Sequence, residues 1–495
     1  MRKLKLLKNT ISSFIFQITA IICGFILPRL ILDTYGSATN GLVNSITQFL
    51  QIISFLELGV GAVVQSSLYK PLAEKDNIMI SKIFVSASKF FKTIAKILIV
   101  YIIILIIIYP SIINDNYNFL YTDLLIVSIA IGLLSQYYFG IVDKLLLMAD
   151  QKGYIFYNIQ TITLIFNTII SVILIKLDQS IQLVKLVSSL IYIFRPLYLR
   201  WYVTNYYLID KKIEYREEPI KQKWNGVAQH ISYVVLDSTD NIVLSIFSTL
   251  KSVSVYSVYN LIFSGVKQLL MATTSGIQSL LGELWAKQEL DELTKSFGWF
   301  EWGLHTVVVF VFGCTGMLIV PFVKVYTNGI TDANYLQPLF ASLMVTAHAI
   351  HCLRLPYNIM ILAGGHYKQT QKCYIIAAII NIFLSIFMVK IYGLIGVAIG
   401  TLVAMLYQTA WMILYDSKNL LCWSIKKVMK QFLIDFFEAF LGVLICKSFI
   451  LANDSYFSWL ILALKISFVW LFIIVIFNLF FYRKKMINLI KKLRR

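Results

Sequence analysis

The chain turns on Trp224–Ser248, which reads WNGVAQHISYVVLDSTDNIVLSIFS. In helical form it is long enough to cross a bilayer, which takes about 20 residues. It nevertheless carries two acids. Asp237 and Asp240 stand three residues apart, so they share one helix face. An ionised carboxylate facing lipid costs about 2.5 kcal/mol or more, so that face must look into protein or a watery cavity. The run lies at the middle of the chain, directly after its most highly charged segment, 211–223. It reads as the first helix of the second half of a two-lobed transporter.

The rest of the chain has the same character. Of 495 residues, 59% are apolar and only 14% charged, with a mean hydropathy of +0.76. A soluble domain carries about 25% charged residues. No segment shows the alternating polarity of barrel strands. The expected fold is an all-α polytopic membrane protein of about 14 transmembrane helices, in two pseudo-symmetric six-helix lobes plus two C-terminal helices. The expected spans are 11–31, 40–66, 89–110, 121–148, 154–176, 181–205, 227–249, 253–281, 297–326, 335–363, 373–392, 394–416, 430–451 and 456–482. The expected domains are an N-lobe over 1–210, a cytoplasmic linker over 211–226, a C-lobe over 227–416, and a final 417–495 holding helices 13 and 14 and a basic cytoplasmic tail. Met1–Lys8 is basic and the chain is apolar from Ile11, as in a secretory signal. No small-x-small cleavage site follows, so this stretch is expected to remain as the first span.

Net charge is +19, which by itself would suit nucleic acid. Its distribution follows the positive-inside rule instead. With the N-terminus inside, Lys and Arg gather in the inside segments and at both ends, from Arg2 to Lys8 and from Arg483 to Arg495. Both termini are thus expected in the cytoplasm, against anionic headgroups, and nucleic acid is not expected as a partner. Cys23, Cys314, Cys352, Cys373, Cys422 and Cys446 are scattered, with neither metal spacing nor a disulfide framework. The phosphate-cradling G-x-x-x-x-G-K-[ST] loop is absent. Energy for pumping would come from an ion gradient, the membrane potential or the substrate's own gradient. No catalytic constellation can be argued from order or spacing.

An internal repeat supports the two halves. Gln65-Ser66 and Gln278-Ser279 stand 213 residues apart, and at that offset Ala73 matches Ala286, Ser81-Lys82 matches Thr294-Lys295, and Phe84 matches Phe297. Each set runs from the end of its lobe's second helix through a charged turn into the third.

Polar groups inside the spans carry the functional argument. Arg29 follows Pro28, Arg195 precedes Pro196, and Arg354 lies two residues before Pro356. Proline frees a main-chain carbonyl and kinks the helix. Each arginine either satisfies such a carbonyl or lines a central cavity and binds an anion, for which its bidentate fork is suited. Lys267 would add a point charge. Lys96 and Lys465 read as residues that snorkel or pack. Among the acids, Glu57 is deep enough to pair with one of the arginines. Asp237 and Asp240 are the candidates for a coupling-ion site, since two carboxylates on one face can share a proton or hold a hard cation. Salt bridges to the cavity arginines are the alternative role. His348 and His351 share a helix face near Arg354 and read as packing residues.

Several motifs resemble the polysaccharide-transporter branch of the multidrug/oligosaccharidyl-lipid/polysaccharide (MOP, MATE-related) exporter superfamily, the Wzx-type flippases. They are Pro28-Arg29, Tyr35-Gly36 and Gly41; Glu57-Leu58-Gly59-Val60-Gly61 leading to Tyr69-Lys70; Val255-Tyr256-Ser257-Val258-Tyr259; and the glycine-rich Tyr392–Thr401 turn between spans eleven and twelve. The resemblance extends to helix number and order. It implies two six-helix bundles around a cavity, alternating access, and a substrate of oligosaccharide on undecaprenyl diphosphate moved to the outer leaflet of a bacterial cytoplasmic (inner) membrane. Capsule, O-antigen and exopolysaccharide repeat units are the substrates it suggests. Membrane lipids and the polymerase and other assembly proteins are the partners it suggests. It implies no cofactor beyond Na+ or H+ coupling, and by analogy with a sodium-coupled branch it adds Asn381 and Thr401 to Asp237 and Asp240 as ion ligands. A diphosphate carries about two negative charges that hydrocarbon rejects, and Arg29, Arg195, Lys267 and Arg354 would offset them. The alternatives are a MATE-type drug exporter, whose cavity would be acidic and aromatic, and a lipid II flippase. A polymerase of the Wzy type, an enzyme, would carry a large outside loop, and none occurs here.

Overall fold

A computed structural model describes residues 2–113, 117–220, 238–421 and 424–493. Every regular element in them is helical. The helices are α1 (Arg2–Gln51), α2 (Ser54–Glu74), α3 (Asn77–Ile112), α4 (Phe119–Ala149), α5 (Gly153–Lys176), α6 (Ile181–Tyr206), α7 (238–247), α8 (Leu250–Ala286), α9 (Leu290–Tyr326), α10 (Pro338–Ala363), α11 (Tyr367–Tyr392), α12 (Leu394–Asn419), α13 (Ile425–Cys446), α14 (Tyr456–Phe481) and α15 (Arg483–Leu493). Ten of the described helical stretches are long and apolar enough to cross a membrane. Most of Trp224–Ser248 lies outside the described residues, with α7 at its C-terminal end.

Local chemistry sets the boundaries. Asp76 caps α3 by accepting from the Met79 amide at 2.9 Å, and Ser455 caps α14 by accepting from the Ser458 amide at 3.2 Å. Hydropathy foresaw the spans but not their breaks. α1 kinks at Gly36, whose φ is 83°, so that it runs through the first expected span and into the second. The expected 40–66 span is interrupted at 52–53. α10 breaks at Arg354, two residues before Pro356. α4 contains a π turn, Gln136–Gly140.

The chain forms two compact units, Met1–Ser254 and Val255–Arg495. The first has a continuous core drawn from α1 to α6, with Leu42, Ile46, Leu98, Leu125, Leu146 and Leu199 at most 2% exposed. In the second, α13 and α14 dock on α9 through Trp470. Its indole lies so close to Gly313 and Gly442 that a Cβ at either would fall 2.3 or 2.5 Å from the ring. Trp302 Nε1 donates to Asn478 Oδ1 at 2.6 Å and Trp459 Nε1 to the Leu318 carbonyl at 3.1 Å, which fixes α14 along α9. The opposite side of α14 exposes Phe457, Leu464, Phe468, Phe472 and Phe480, a surface fit for acyl chains.

The repeat recurs in the backbone. Left-handed residues close three turns in each half: Lys75, Gln151 and Asp178, then Gln288, Gly365 and Gly393. The pairs stand 213, 214 and 215 residues apart. They terminate α2, α4 and α5 in one half and α8, α10 and α11 in the other.

Candidate functional site

The first unit encloses a crevice of about 320 Å³ between α1, α4, α5 and α6. Lys144, Lys185 and Arg195 line it, with Gln51, Gln136 and Gln160 among the polar neighbours, and among the described side chains no carboxylate does. On α6 the lining runs from Lys185 to Leu199, about 21 Å of helix at 1.5 Å per residue. It is a long cationic slot rather than a round pocket.

Two irregularities shape it. The π turn in α4 ends at Gly140, where a Cβ would fall 2.3 Å from Cβ of Pro196. Only glycine lets α6 approach so closely, and the approach brings Arg195 to the slot. Single π turns recur at functional sites because they re-aim side chains without ending the helix. Arg195 Nε donates to Thr163 Oγ1 at 2.6 Å, and the guanidinium sits 4.0 Å above the Tyr192 ring. The Tyr192 hydroxyl in turn accepts from Asn167 Nδ2 at 2.9 Å. Among the described residues Arg195 is therefore held by neutral groups, neither by an acid nor by the carbonyl that Pro196 frees. Lys185 likewise has no ion pair among the described residues. Lys144 places its ammonium 5.1 Å over the Phe156 ring.

The other expected site residues fall in different settings. Arg29 Nη2 meets Asp33 Oδ1 at 3.4 Å, one helical turn along α1, an acid the sequence reading passed over. In the second unit Lys267 on α8 and Arg354 in α10 are 5% and 2% exposed. Both are within electrostatic reach of His351, and Arg354 Nη2 lies 2.9 Å from His351 Nδ1. These two expected cations are thus brought together, with His348 also beside His351.

Asp240 is buried in α7, while Asp237 lies outside the described residues and the Glu57 side chain is not among those described. Asn381 of α11 and Thr401 of α12 do meet: Asn381 Nδ2 donates to Thr401 Oγ1 at 3.0 Å. Asn381 Oδ1 and the nearby Ser385 Oγ are buried without a hydrogen-bond partner, which leaves two oxygens at that point for a cation. Ser385 was not singled out from sequence, although it lies four residues from Asn381 on the same face. Lys185 was missed because a lysine four residues into a span reads as an end that snorkels.

No family model and no curated protein matches the sequence. The fold does match solved structures. A lipid II flippase, MurJ, in an inward closed conformation superposes with a TM-score of 0.75 at 14% identity, covering 97% of this chain and 99% of that one. A mutant of the Vibrio cholerae MATE transporter VcmN gives 0.58 at 11% identity, over 85% and 98%. An outward-facing multidrug-resistance MATE transporter gives 0.55 at 11%, over 83% and 95%. The last of these is a transporter of the MOP superfamily, and the likeness establishes that this chain has a multi-pass, MurJ- and MATE-like fold.

Proposed function

We propose that the protein is a flippase that moves an oligosaccharide on undecaprenyl diphosphate from the inner to the outer leaflet of a bacterial cytoplasmic membrane by alternating access, with both termini in the cytoplasm. The observation that carries this reading is the slot in the first unit, lined by Lys144, Lys185 and Arg195 and, among the described side chains, by no acid. A cavity of that charge attracts a diphosphate and repels the organic cations a drug exporter would take. Lys267 and Arg354 supply further positive charge in the second unit. Lys185 and Arg195 have no acid partner among the described residues; a buried cation in that setting is costly, and an anionic substrate offsets that cost while its polyprenyl tail stays in lipid.

Coupling is assigned to Asp240 in the first unit and to Asn381 and Thr401 in the second, with Na+ or H+ as the ion; Asp237 would share the Asp240 role. A capsule, O-antigen or exopolysaccharide unit is the first reading of the glycan, and a polymerase and other assembly proteins would take up the product. Lipid II is the second reading, favoured by the near-complete superposition on a lipid II flippase. The test is flipping in proteoliposomes of two labelled lipids, an undecaprenyl-diphosphate oligosaccharide and lipid II, with and without an imposed sodium or proton gradient. Movement of the first and not the second supports the capsule-type assignment. The reverse selects the lipid II flippase. Movement of neither by a correctly folded protein, with transport of an organic cation, selects the drug exporter.

A further inference from the structure

The second unit contains a row of buried acids that anion binding does not use. On α12, Asp416 has no exposed surface, and neither of its carboxylate oxygens meets a hydrogen-bond donor. α10 presents Tyr357 to it and α12 itself presents Tyr415, both within electrostatic reach. α11 and α13 also pack on α12. Tyr357 Oη donates to Glu301 Oε1 of α9 at 2.5 Å, so the phenol within electrostatic reach of Asp416 is hydrogen-bonded to a second acid. Glu301 has the setting Asp416 lacks: His305 on its own helix and Lys485 of α15 are both within electrostatic reach. Tyr357 also feels Asp435 of α13, whose Oδ2 lies 2.6 Å from His305 Nδ1.

An ionised carboxylate enclosed without donor or counter-charge costs several kcal/mol, and a bound proton or cation removes that cost. A hard metal ion takes about six oxygen ligands, and among the described residues no group of three or more His, Cys, Asp or Glu side chains forms that could hold one, around Asp416 or elsewhere. A proton needs one. We propose that Asp416 is a proton-binding site and that Glu301, Tyr357 and Asp416 form a relay across α9, α10 and α12. In one passage, protonated Glu301 gives its proton to the Tyr357 oxygen as the phenol's own proton passes to Asp416. Tyrosine ends unchanged, Asp416 neutral, and the negative charge rests on Glu301 beside Lys485 and His305. The hydrogen bond from Tyr357 to Glu301 is that of the end state. Such a relay would couple the second unit to the proton gradient.

The experiment is infrared difference spectroscopy, acid against alkaline buffer, on the full chain in lipid nanodiscs. It reads protonated carboxyls directly and needs no substrate, so its outcome is independent of the glycan reading. The expected result is a titrating carboxyl C=O band that disappears in Asp416→Asn and shifts in Tyr357→Phe. An Asp416→Asn spectrum identical to wild type overturns the site. If Asp416→Asn does not fold, Tyr357→Phe carries the test, because it keeps both acids and removes only the phenol; an unshifted band then overturns the relay.

Discussion

Arg195 is held by a threonine and a tyrosine rather than by an acid, and its removal therefore tests substrate binding more than folding. A hydrogen bond to a charged group is worth about 1.5–3 kcal/mol, so Arg195→Ala is expected to weaken substrate half-saturation in a flipping assay roughly 10- to 100-fold, at unchanged membrane level by immunoblot. Arg195→Lys keeps the charge, loses the fork, and should recover part of the loss; wild-type flipping by Arg195→Ala would remove the residue from the site. Lys185→Ala is expected to act in the same direction. Arg29 differs, since Asp33 already neutralises it. A second prediction concerns coupling. Asp240→Asn and Asn381→Ala should each abolish stimulation by an ion gradient while sparing downhill movement, and stimulation that survives in both would assign these residues to packing. How much of the site the sequence reveals depends on contrast. An arginine beside a proline in an apolar run stands out, as Arg195 and Arg354 do. Asp33 does not, because its importance lies in being one turn from Arg29.

Elements show the same division. Composition locates a helix, so the expected span 181–205 coincides with α6 and 394–416 lies within α12. Composition does not record hydrogen-bond register, so the π turn in α4, the interruption at 52–53 and the break at Arg354 leave no trace in a hydropathy profile. The π turn gives a direct prediction. Gly140→Ala would place a methyl 2.3 Å from Cβ of Pro196, and such overpacking costs about 1–3 kcal/mol. Thermal unfolding in detergent should fall by several degrees, and flipping should drop with it as α6 is pushed off α4; an unchanged melting temperature would mean that the helices separate freely there. The tail helix α15 gives another. Lys485 Nζ donates to the Gly298 carbonyl at 2.7 Å and lies 5.9, 5.6 and 5.5 Å from the rings of Trp299, Trp302 and Tyr482. Burial pushes its ammonium below the usual lysine range, Glu301 opposes the shift, and Lys427 adds to it. A lowered lysine pKa means the docked state pays for the charge at neutral pH and recovers that cost as pH rises through the depressed value toward the unfolded one, about 10.4. Limited tryptic cleavage at Arg483 and Lys484 should therefore slow with rising pH beyond the trypsin control, and Lys485→Met should lose that pH dependence.

At the scale of the whole molecule, the sequence carries its architecture twice. A faint 213-residue repeat becomes three pairs of left-handed turn residues at offsets of 213, 214 and 215, because turn geometry persists after side chains have diverged. That explains how a chain 14% identical to a lipid II flippase can superpose on it over 97% of its length: membrane helices need only stay apolar outward and close-packed inward. Substrate class does not follow from the fold, since flippases and drug exporters share it. It has to come from charge. The chain carries 44 basic and 25 acidic residues, but on the expected topology most of that excess follows the positive-inside rule and says nothing of the substrate. What discriminates is the local arrangement in the first unit, where Lys144, Lys185 and Arg195 line one slot with no acid among the described side chains. Two unit charges about 4 Å apart interact by about 4 kcal/mol at an effective dielectric of 20, so an organic cation entering the slot would meet strong repulsion and a diphosphate a comparable attraction. Soluble pyrophosphate should accordingly compete with lipid-linked substrate in proteoliposomes, and a lipophilic quaternary ammonium ion should not. Raising salt should weaken pyrophosphate competition, most where the slot is open to water. Lys185→Glu, which reverses one charge in the slot, should diminish pyrophosphate competition and bring the quaternary ammonium into play. Competition by the cation in the unmodified protein, with none from pyrophosphate, would mean that the slot does not face the substrate and would shift the assignment to a cation exporter.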